Sequence, residues 1–513
     1  MQTRPPLAAE DTAQGRSMAL VMGLMMLSKA LGFIREVALS SKFGMTYVTD
    51  AYKTAFNIPC LLLSALIGAM ATIFVPVYNE RSLDGAEAAS NFTRATLTAG
   101  FIVSAVIALG TYLSLPWLAR AMLPGASEDM IHLTIGLTRV MTPMALFVFL
   151  YRMLGAFLQA RFSFATPATA TCAGAVVIIL GIMLSGGNIV LVAAATLAGM
   201  AVEFLTQLPA ARKRGLRPRP LIDFNDPGLK RMAFLTVPLL IGGVFDQLYI
   251  VFDRVVTAAT AGDISALDYG NRVTTMFSAA FLTTIATVLY PSLTESARDA
   301  KRFAGHFSQG VCLNVVIGLP AAAALLMLRA PVTRLIFERG AFGASDAAAT
   351  AGTMACYALG ILGLGLRELC GRAFYARQAT RLPMTVGILG VMLNIALDYA
   401  LYPLMGVSGV ALASAIAASA SALALMILLR ASAGHVGGGA ILLCLGKTAI
   451  ATAAMCVVIL ACSRVFSLQD AYGMRLAGSL LATGAAGLAA YGAALAILRA
   501  RELEYIVRMV RRR

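Results

Sequence analysis

The stretch from residue 17 to residue 40 reads SMALVMGLMMLSKALGFIREVALS. Nothing in it is charged before Lys29, and as a helix rising about 1.5 Å per residue it spans the roughly 30 Å of a hydrocarbon core. A soluble domain would have to bury such a segment on every side, and the rest of the chain supplies no polar coat. Of 513 residues 59% are hydrophobic and 13% charged, with a mean hydropathy of +0.80, whereas soluble domains carry about 25% charge. Lipid is therefore the solvent. Arg4 and Arg16 precede the stretch as they would a secretion signal, but it runs on through Lys29 and Arg35 without a convincing Ala-x-Ala cleavage site. It reads as an uncleaved first helix.

Working outward, apolar runs bounded by charges, Gly and Pro recur along the chain and predict fourteen membrane helices, among them 17–40, 49–78, 264–293 and 473–499. The net charge of +16 does not point to nucleic acid, because Lys and Arg cluster in the short segments between runs. With the N-terminus in the cytoplasm, 25 of the 41 basic residues fall in cytoplasmic segments and six in the opposite loops. That asymmetry predicts a multi-pass protein of the bacterial inner membrane with both termini cytoplasmic. The final segment 501–513 places Leu503, Ile506, Val507 and Val510 on one face among arginines, as an amphipathic helix on the inner leaflet would. Eight cysteines lie in apolar stretches with no Cys-x-x-Cys pair and read as packing residues.

The chain contains a duplicated unit. Ala71-Thr72-x3-Pro76-x3-Glu80 recurs as Ala286-Thr287-x3-Pro291-x3-Glu295, and Ala160-Arg161-x5-Pro167 recurs as Ala376-Arg377-x5-Pro383. Six helices separate equivalent positions, so both copies keep one orientation, as in transporters built from parallel repeats. The expected organisation is an all-α integral membrane protein of two six-helix lobes plus two further helices. Its parts are a tail 1–16, an N-lobe 17–211, a basic linker 212–228, a C-lobe 229–430, helices 13 and 14 over 431–500, and the terminal helix 501–513. Two similar lobes suit alternating access, one rocking against the other around a central site.

Charges inside the spans mark the candidate site, since each costs on the order of 2.5–3.5 kcal/mol at a helix centre and must face a cavity or a partner. Lys29, Arg35 and Glu36 stand in span 1; Asp50, Lys53 and Asn57 form a stripe in span 2; Asp268, Asn271 and Arg272 stand in span 8, with Asp268 and Arg272 one turn apart. Arg254 in span 7 and Arg367 with Glu368 in span 10 complete the polar set. Pro59 in span 2 and Gly360, Gly363 and Gly365 in span 10 permit a kink or close packing. No nucleophile–base pair, phosphate-cradling loop or zinc spacing is present in the sequence, so no catalytic residue and no metal is expected.

These residues carry a resemblance over almost the whole chain. The run Ser28–Glu36 (SKALGFIRE), followed by Phe43-Gly44, Thr49-Asp50-Ala51-Tyr52, Pro59 and Phe74-Val75-Pro76, resembles the N-terminal signature of the MurJ/MviN family. Tyr269-Gly270-Asn271-Arg272, leading to Ala286–Pro291 (ATVLYP), resembles the family's span 8, and Gly365–Leu369 (GLREL) with Arg372–Ala376 (RAFYA) resembles its span 10. The resemblance implies a fold of the multidrug/oligosaccharidyl-lipid/polysaccharide exporter superfamily. It implies no enzyme but a flippase, working as a monomer without cofactor, that exports lipid II, the undecaprenyl-pyrophosphate-linked peptidoglycan precursor. Lys29, Arg35, Arg272, Lys53 and Arg254 would then clamp the pyrophosphate, and helices 13 and 14 would form a groove for the polyprenyl tail. Coupling would be to the membrane potential or a monovalent cation. The chain departs from the proteobacterial pattern at Lys29, at Leu62 and Leu63, and across Asn271–Thr275.

An exporter of another lipid-linked oligosaccharide or polysaccharide unit would share the fold and the need for cations. A drug or cation antiporter would want an acidic cavity, against which Lys29, Arg35 and Arg272 argue. An enzyme acting on polyprenyl phosphates would show clustered Asp residues for Mg²⁺ at a membrane face, and the sequence has none.

Overall fold

A computed structural model describes residues 7–216, 219–434 and 437–499. The amphipathic helix expected at 501–513 lies outside the described residues, as do the first six residues of the tail and Arg217 of the linker. All regular structure among the described residues is helical. The chain packs as two units, Met1–Ala261 and Gly262–Arg513.

The first unit contains α1 (Leu7–Phe43), α2 (Tyr47–Asn57), α3 (Leu61–Leu83), α4 (Ala86–Met122), α5 (Glu128–Met141), α6 (Met144–Ala160), α7 (Ala165–Leu184), α8 (Ile189–Lys213) and α9 (Pro227–Thr257). Span 2 is broken as Pro59 suggested: α2 and α3 are separated by a 3-10 turn at Ile58–Cys60 with the proline at its start, where a missing N–H costs least. Span 4 is broken as well, which periodicity did not foretell. α5 and α6 meet at 45°, at Pro143, after Thr134, Thr138 and Thr142 each donate a hydroxyl to the carbonyl four residues back, at 2.7–2.8 Å. Threonine back-bonding loosens a helix and proline ends the ladder. Helix starts follow side-chain capping: Ser127, Asn188 and Asp226 accept from Met130, Val190 and Leu229 backbone N–H groups. α9 packs on α3, where a Cβ on Gly243 would meet that of Ala65 at 3.1 Å.

The second unit contains α10 (Asp263–Glu295), α11 (Ala300–Met327), α12 (Arg329–Phe337), α13 (Ala344–Leu359), α14 (Ile361–Ala376), α15 (Arg381–Met405), α16 (Val407–Ala433), α17 (Gly438–Val465) and α18 (Gly473–Ile497). Gly360 divides span 10 into α13 and α14, the counterpart of the break at Pro143. Gly363 and Gly365 serve close packing: a Cβ on Gly363 would meet the Ser419 backbone at 2.8 Å, and one on Gly365 the Asn314 Oδ1 at 2.4 Å. Phe303, Phe307, Leu369 and Phe374 are buried at the centre of this unit. α17 and α18 pair as a hairpin against α11, fixed by the Tyr491 hydroxyl donating to the Val316 carbonyl at 2.6 Å.

The duplication is visible in backbone conformation. Phe162 and Gln378, 216 residues apart, are two of the four non-glycine residues with positive φ among those described, at 55° and 60°. Each follows the repeated Ala-Arg pair and closes its helix in the same way, with Phe162 N–H donating to Gln159 O, Ser163 N–H to Leu158 O, Gln378 N–H to Tyr375 O and Ala379 N–H to Phe374 O. This is a left-handed helix stop.

A helix covers each of the fourteen expected runs. Eleven helices, or twelve with the bent α5–α6 pair as one span, are long and apolar enough to cross a membrane among the described residues.

Candidate functional site

In the first unit the site is built on α1, α2 and α8. Arg35 is held in place by its neighbour, with Nη2 donating to Glu36 Oε1 at 3.0 Å, and its guanidinium lies 6.0 Å from the Phe56 ring. It keeps 23% of its side-chain surface exposed. Beside it the Tyr52 hydroxyl shares a hydrogen bond of 2.7 Å with Thr196 Oγ1 on α8, which fixes α2 against α8. Glu203, one face further along α8, is buried and close enough to both Arg35 and Arg152 for their charges to act on it. Arg152 on α6 is exposed and lies against the Tyr151 ring at 5.5 Å.

Lys29 lies on α1, N-terminal to Arg35. It is exposed and has no hydrogen bond or ion pair among the described residues. The span 2 stripe is divided. Asp50 and Lys53 are buried, at 0% and 5% exposure, and Asn57 spends its amide on the Lys53 carbonyl at 2.8 Å. Arg254 of α9 is buried against the same helix, with Nη1 at 3.5 Å from Thr54 Oγ1. Lys53 and Arg254 are thus buried, while Lys29, Arg35 and Arg152 keep surface that a ligand can reach.

In the second unit Arg272 on α10 is half-buried and makes no hydrogen bond or ion pair among the described residues. Its neighbour Asn271 accepts from the Thr275 hydroxyl at 2.8 Å, and Asp268 is half-buried one turn earlier. Arg367 on α14 is exposed with no such partner. Glu368, adjacent in sequence, turns to Arg372 instead, at 2.9 Å, and Arg372 also lies 5.9 Å from the Tyr290 ring. That pair ties α14 to α10.

A further polar group stands where α15 meets α16. Asn394 Nδ2 is 3.4 Å from Asp398 Oδ1 and 3.5 Å from Ser414 Oγ, with Asn394 and Asp398 buried. Its oxygens suit a hard cation better than a soft one. No group of three or more His, Cys, Asp or Glu side chains that could hold a metal is found among the described residues, and all eight cysteines are free thiols.

Sequence reading joined neither Arg152 nor Glu203 to Arg35, and gave no partner to Tyr52. Helical periodicity gives the face each residue occupies on its own helix. It does not give the long-range register that sets α8 against α1 and α2.

What this arrangement can do is bind. Guanidinium and ammonium groups inside apolar helices, Lys29, Arg272 and Arg367 among them without a hydrogen bond or ion pair among the described residues, suit an oxygen-rich anion. Comparison with known proteins agrees in kind. Residues 39–480 match the model of the family described as lipid II flippase MurJ. The chain is 28% identical over 432 residues to the lipid II flippase MurJ of Burkholderia cenocepacia, covering 81% of this chain and 83% of that one. Among solved structures, one described as lipid II flippase MurJ in an inward closed conformation aligns with 95% of this chain and all of its own, at a TM-score of 0.78 and 23% identity. An inward-facing multidrug resistance MATE family transporter of the MOP superfamily aligns with 82% of this chain at a TM-score of 0.67 and 15% identity.

Proposed function

We propose that this chain, which belongs to the lipid II flippase MurJ family, exports an undecaprenyl-pyrophosphate-linked peptidoglycan precursor, lipid II, from the inner to the outer leaflet of the bacterial inner membrane by alternating access. The observation that carries this reading is the occurrence of unpartnered cations, Lys29 and Arg272, in apolar helices of the two units. Desolvated cations are retained in a membrane only where something compensates their cost, and a pyrophosphate headgroup supplies that compensation. Lys29 and Arg35 serve it from the first unit and Arg272 from the second. Lys53 and Arg254 support the helix that carries the stripe.

A headgroup with two negative charges leaving an inside-negative compartment gains roughly 4–5 kcal/mol at 100 mV, at about 2.3 per charge. Export then needs no nucleotide. Purified protein in liposomes is expected to flip lipid II, faster with an inside-negative potential than after an ionophore collapses it. Flipping of a different polyprenyl-linked glycan at equal or greater rate would reassign the substrate, and a rate independent of potential would remove electrogenic assistance.

Both termini and the linker segment 212–228 are assigned to the cytoplasm, on the 25 to 6 division of basic residues. In a cysteine-free background, an impermeant thiol reagent is expected to label a cysteine inserted after Gly186 from outside and to miss one placed after Arg513 until the membrane is opened. The reverse pattern would overturn the orientation.

A further inference from the structure

The linker after α8 does not hang free. Arg94 Nε on α4 donates to the Arg219 carbonyl at 2.9 Å, the Leu221 N–H donates to Thr98 Oγ1 at 3.1 Å, and Arg161 Nη2 reaches the Arg214 carbonyl at 3.2 Å. These bonds fold residues 219–221 back along α4 and roof a cavity of about 280 Å³ between α4, α6 and α8. Leu97, Phe101, Leu150, Leu154, Phe204 and Leu208 line its depth, and Arg94 and Arg219 stand at its rim. Phe101 is 40% exposed, so the slot opens on the apolar flank of the unit. None of the described residues lining it is acidic.

We propose that this slot binds one anionic phospholipid of the leaflet on the linker's side, with part of an acyl chain in the cavity and the headgroup phosphate on Arg94 and Arg219. Charge complementarity selects this occupant. The Arg219 side chain has no hydrogen bond or ion pair among the described residues, and Arg212, Lys213 and Arg214 close α8 a few residues before it. The cavity is at the small end of ligand pockets, which run from about 300 Å³ upward. It takes part of a chain and leaves the headgroup at the surface. The linker is also built to meet a membrane interface: Ile222 and Phe224 are 69% and 60% exposed, and Phe162 and Phe164 on the neighbouring loop are 87% and 44% exposed. Apolar side chains interleaved with arginines at the end of a helical bundle are the pattern of an interfacial lipid contact. The bound lipid clips the linker to the first unit, a role independent of the transported substrate and of the Lys29, Arg35 and Arg272 site.

The test is native mass spectrometry of the full chain in mild detergent, titrated with phosphatidylglycerol, with phosphatidylcholine of the same acyl chains, and with glycerol phosphate. One phosphatidylglycerol is expected to be retained at about tenfold lower concentration than phosphatidylcholine, which carries the same phosphate but brings a choline cation against the arginines. Glycerol phosphate should not compete. Arg219→Gln, an exposed change that leaves the Arg94 bond to the backbone intact, should abolish the preference, and Leu150→Trp, which fills the slot, should weaken retention of both lipids. Equal retention of the two lipids, a preference unchanged in Arg219→Gln, or a dimer mass without lipid that Leu150→Trp dissolves would each overturn the proposal. In the last case a second copy of the chain fills the slot.

Discussion

Lys29→Ala, Arg35→Ala and Arg272→Ala, each inserted at wild-type level, are expected to lose most lipid II export, about tenfold or more, while Lys29→Arg keeps it. One charge-assisted hydrogen bond to an anion is worth about 1.5–3 kcal/mol, and 1.4 kcal/mol is a factor of ten. The three sites should differ in a second readout. Lys29 and Arg272 have no protein partner among the described residues, so their removal should leave the melting temperature unchanged and depress export alone. Arg35 is paired with Glu36 and within the field of Glu203, and removing it takes one compensating charge away from each carboxylate. Arg35→Ala should therefore lose stability as well, and Arg35→Ala/Glu36→Gln should regain part of it without regaining export. Lys53→Ala and Arg254→Ala, which remove buried side chains, should act mainly on stability. The measurement is rescue of cells depleted of their native flippase, alongside thermal unfolding of the purified variants. Full rescue by all three alanine variants would make these residues structural partners and remove the proposed clamp.

The membrane class, the all-helical architecture and the duplication were legible because each depends on local composition or on repeated letters. The repeated Ala-Arg pair even marked the two places where the backbone turns left-handed, at Phe162 and Gln378. Less legible was what the intramembrane charges do. Neighbours in sequence suggest partners, yet Glu368 turns to Arg372 and not to Arg367, because residues four apart on a helix face each other and adjacent ones do not. Arg35 and Glu36 do meet, since long side chains at a half-exposed face can bend toward one another. The bend between α5 and α6 was not legible either, because a hydropathy window averages away a threonine ladder and a proline. Burial of Lys53 and Arg254 depends on long-range packing, of α2 on α5 and of α9 on α3 and α4, with no signature in any one segment.

Gly174→Leu is expected to destabilise the first unit's α7–α8 pair and to depress export together with it. α7 and α8 cross at small residues. A Cβ on Gly174 would meet Glu203 Cγ at 2.4 Å and the Gly199 carbonyl at 2.9 Å, while one on Gly199 would meet the Gly174 carbonyl at 2.9 Å. The Glu203 side chain can swing aside; the two carbonyls belong to helix backbones and cannot. Within a membrane such close crossings are held by van der Waals contact, since lipid offers no hydrophobic drive to restore them. Overpacking at this point should cost about 1–3 kcal/mol or more, equivalent to a melting temperature lower by roughly 5 °C. The damage also reaches the site, because the side chain displaced first is Glu203, which lies within the field of Arg35 and Arg152. Gly110→Leu, on α4 with no atom within 4 Å of the added Cβ, is the matched control and should melt as the wild type does. Equal melting of Gly174→Leu and Gly110→Leu would show that the α7–α8 crossing tolerates a side chain, and that the close approach of the two helices is not what positions Glu203.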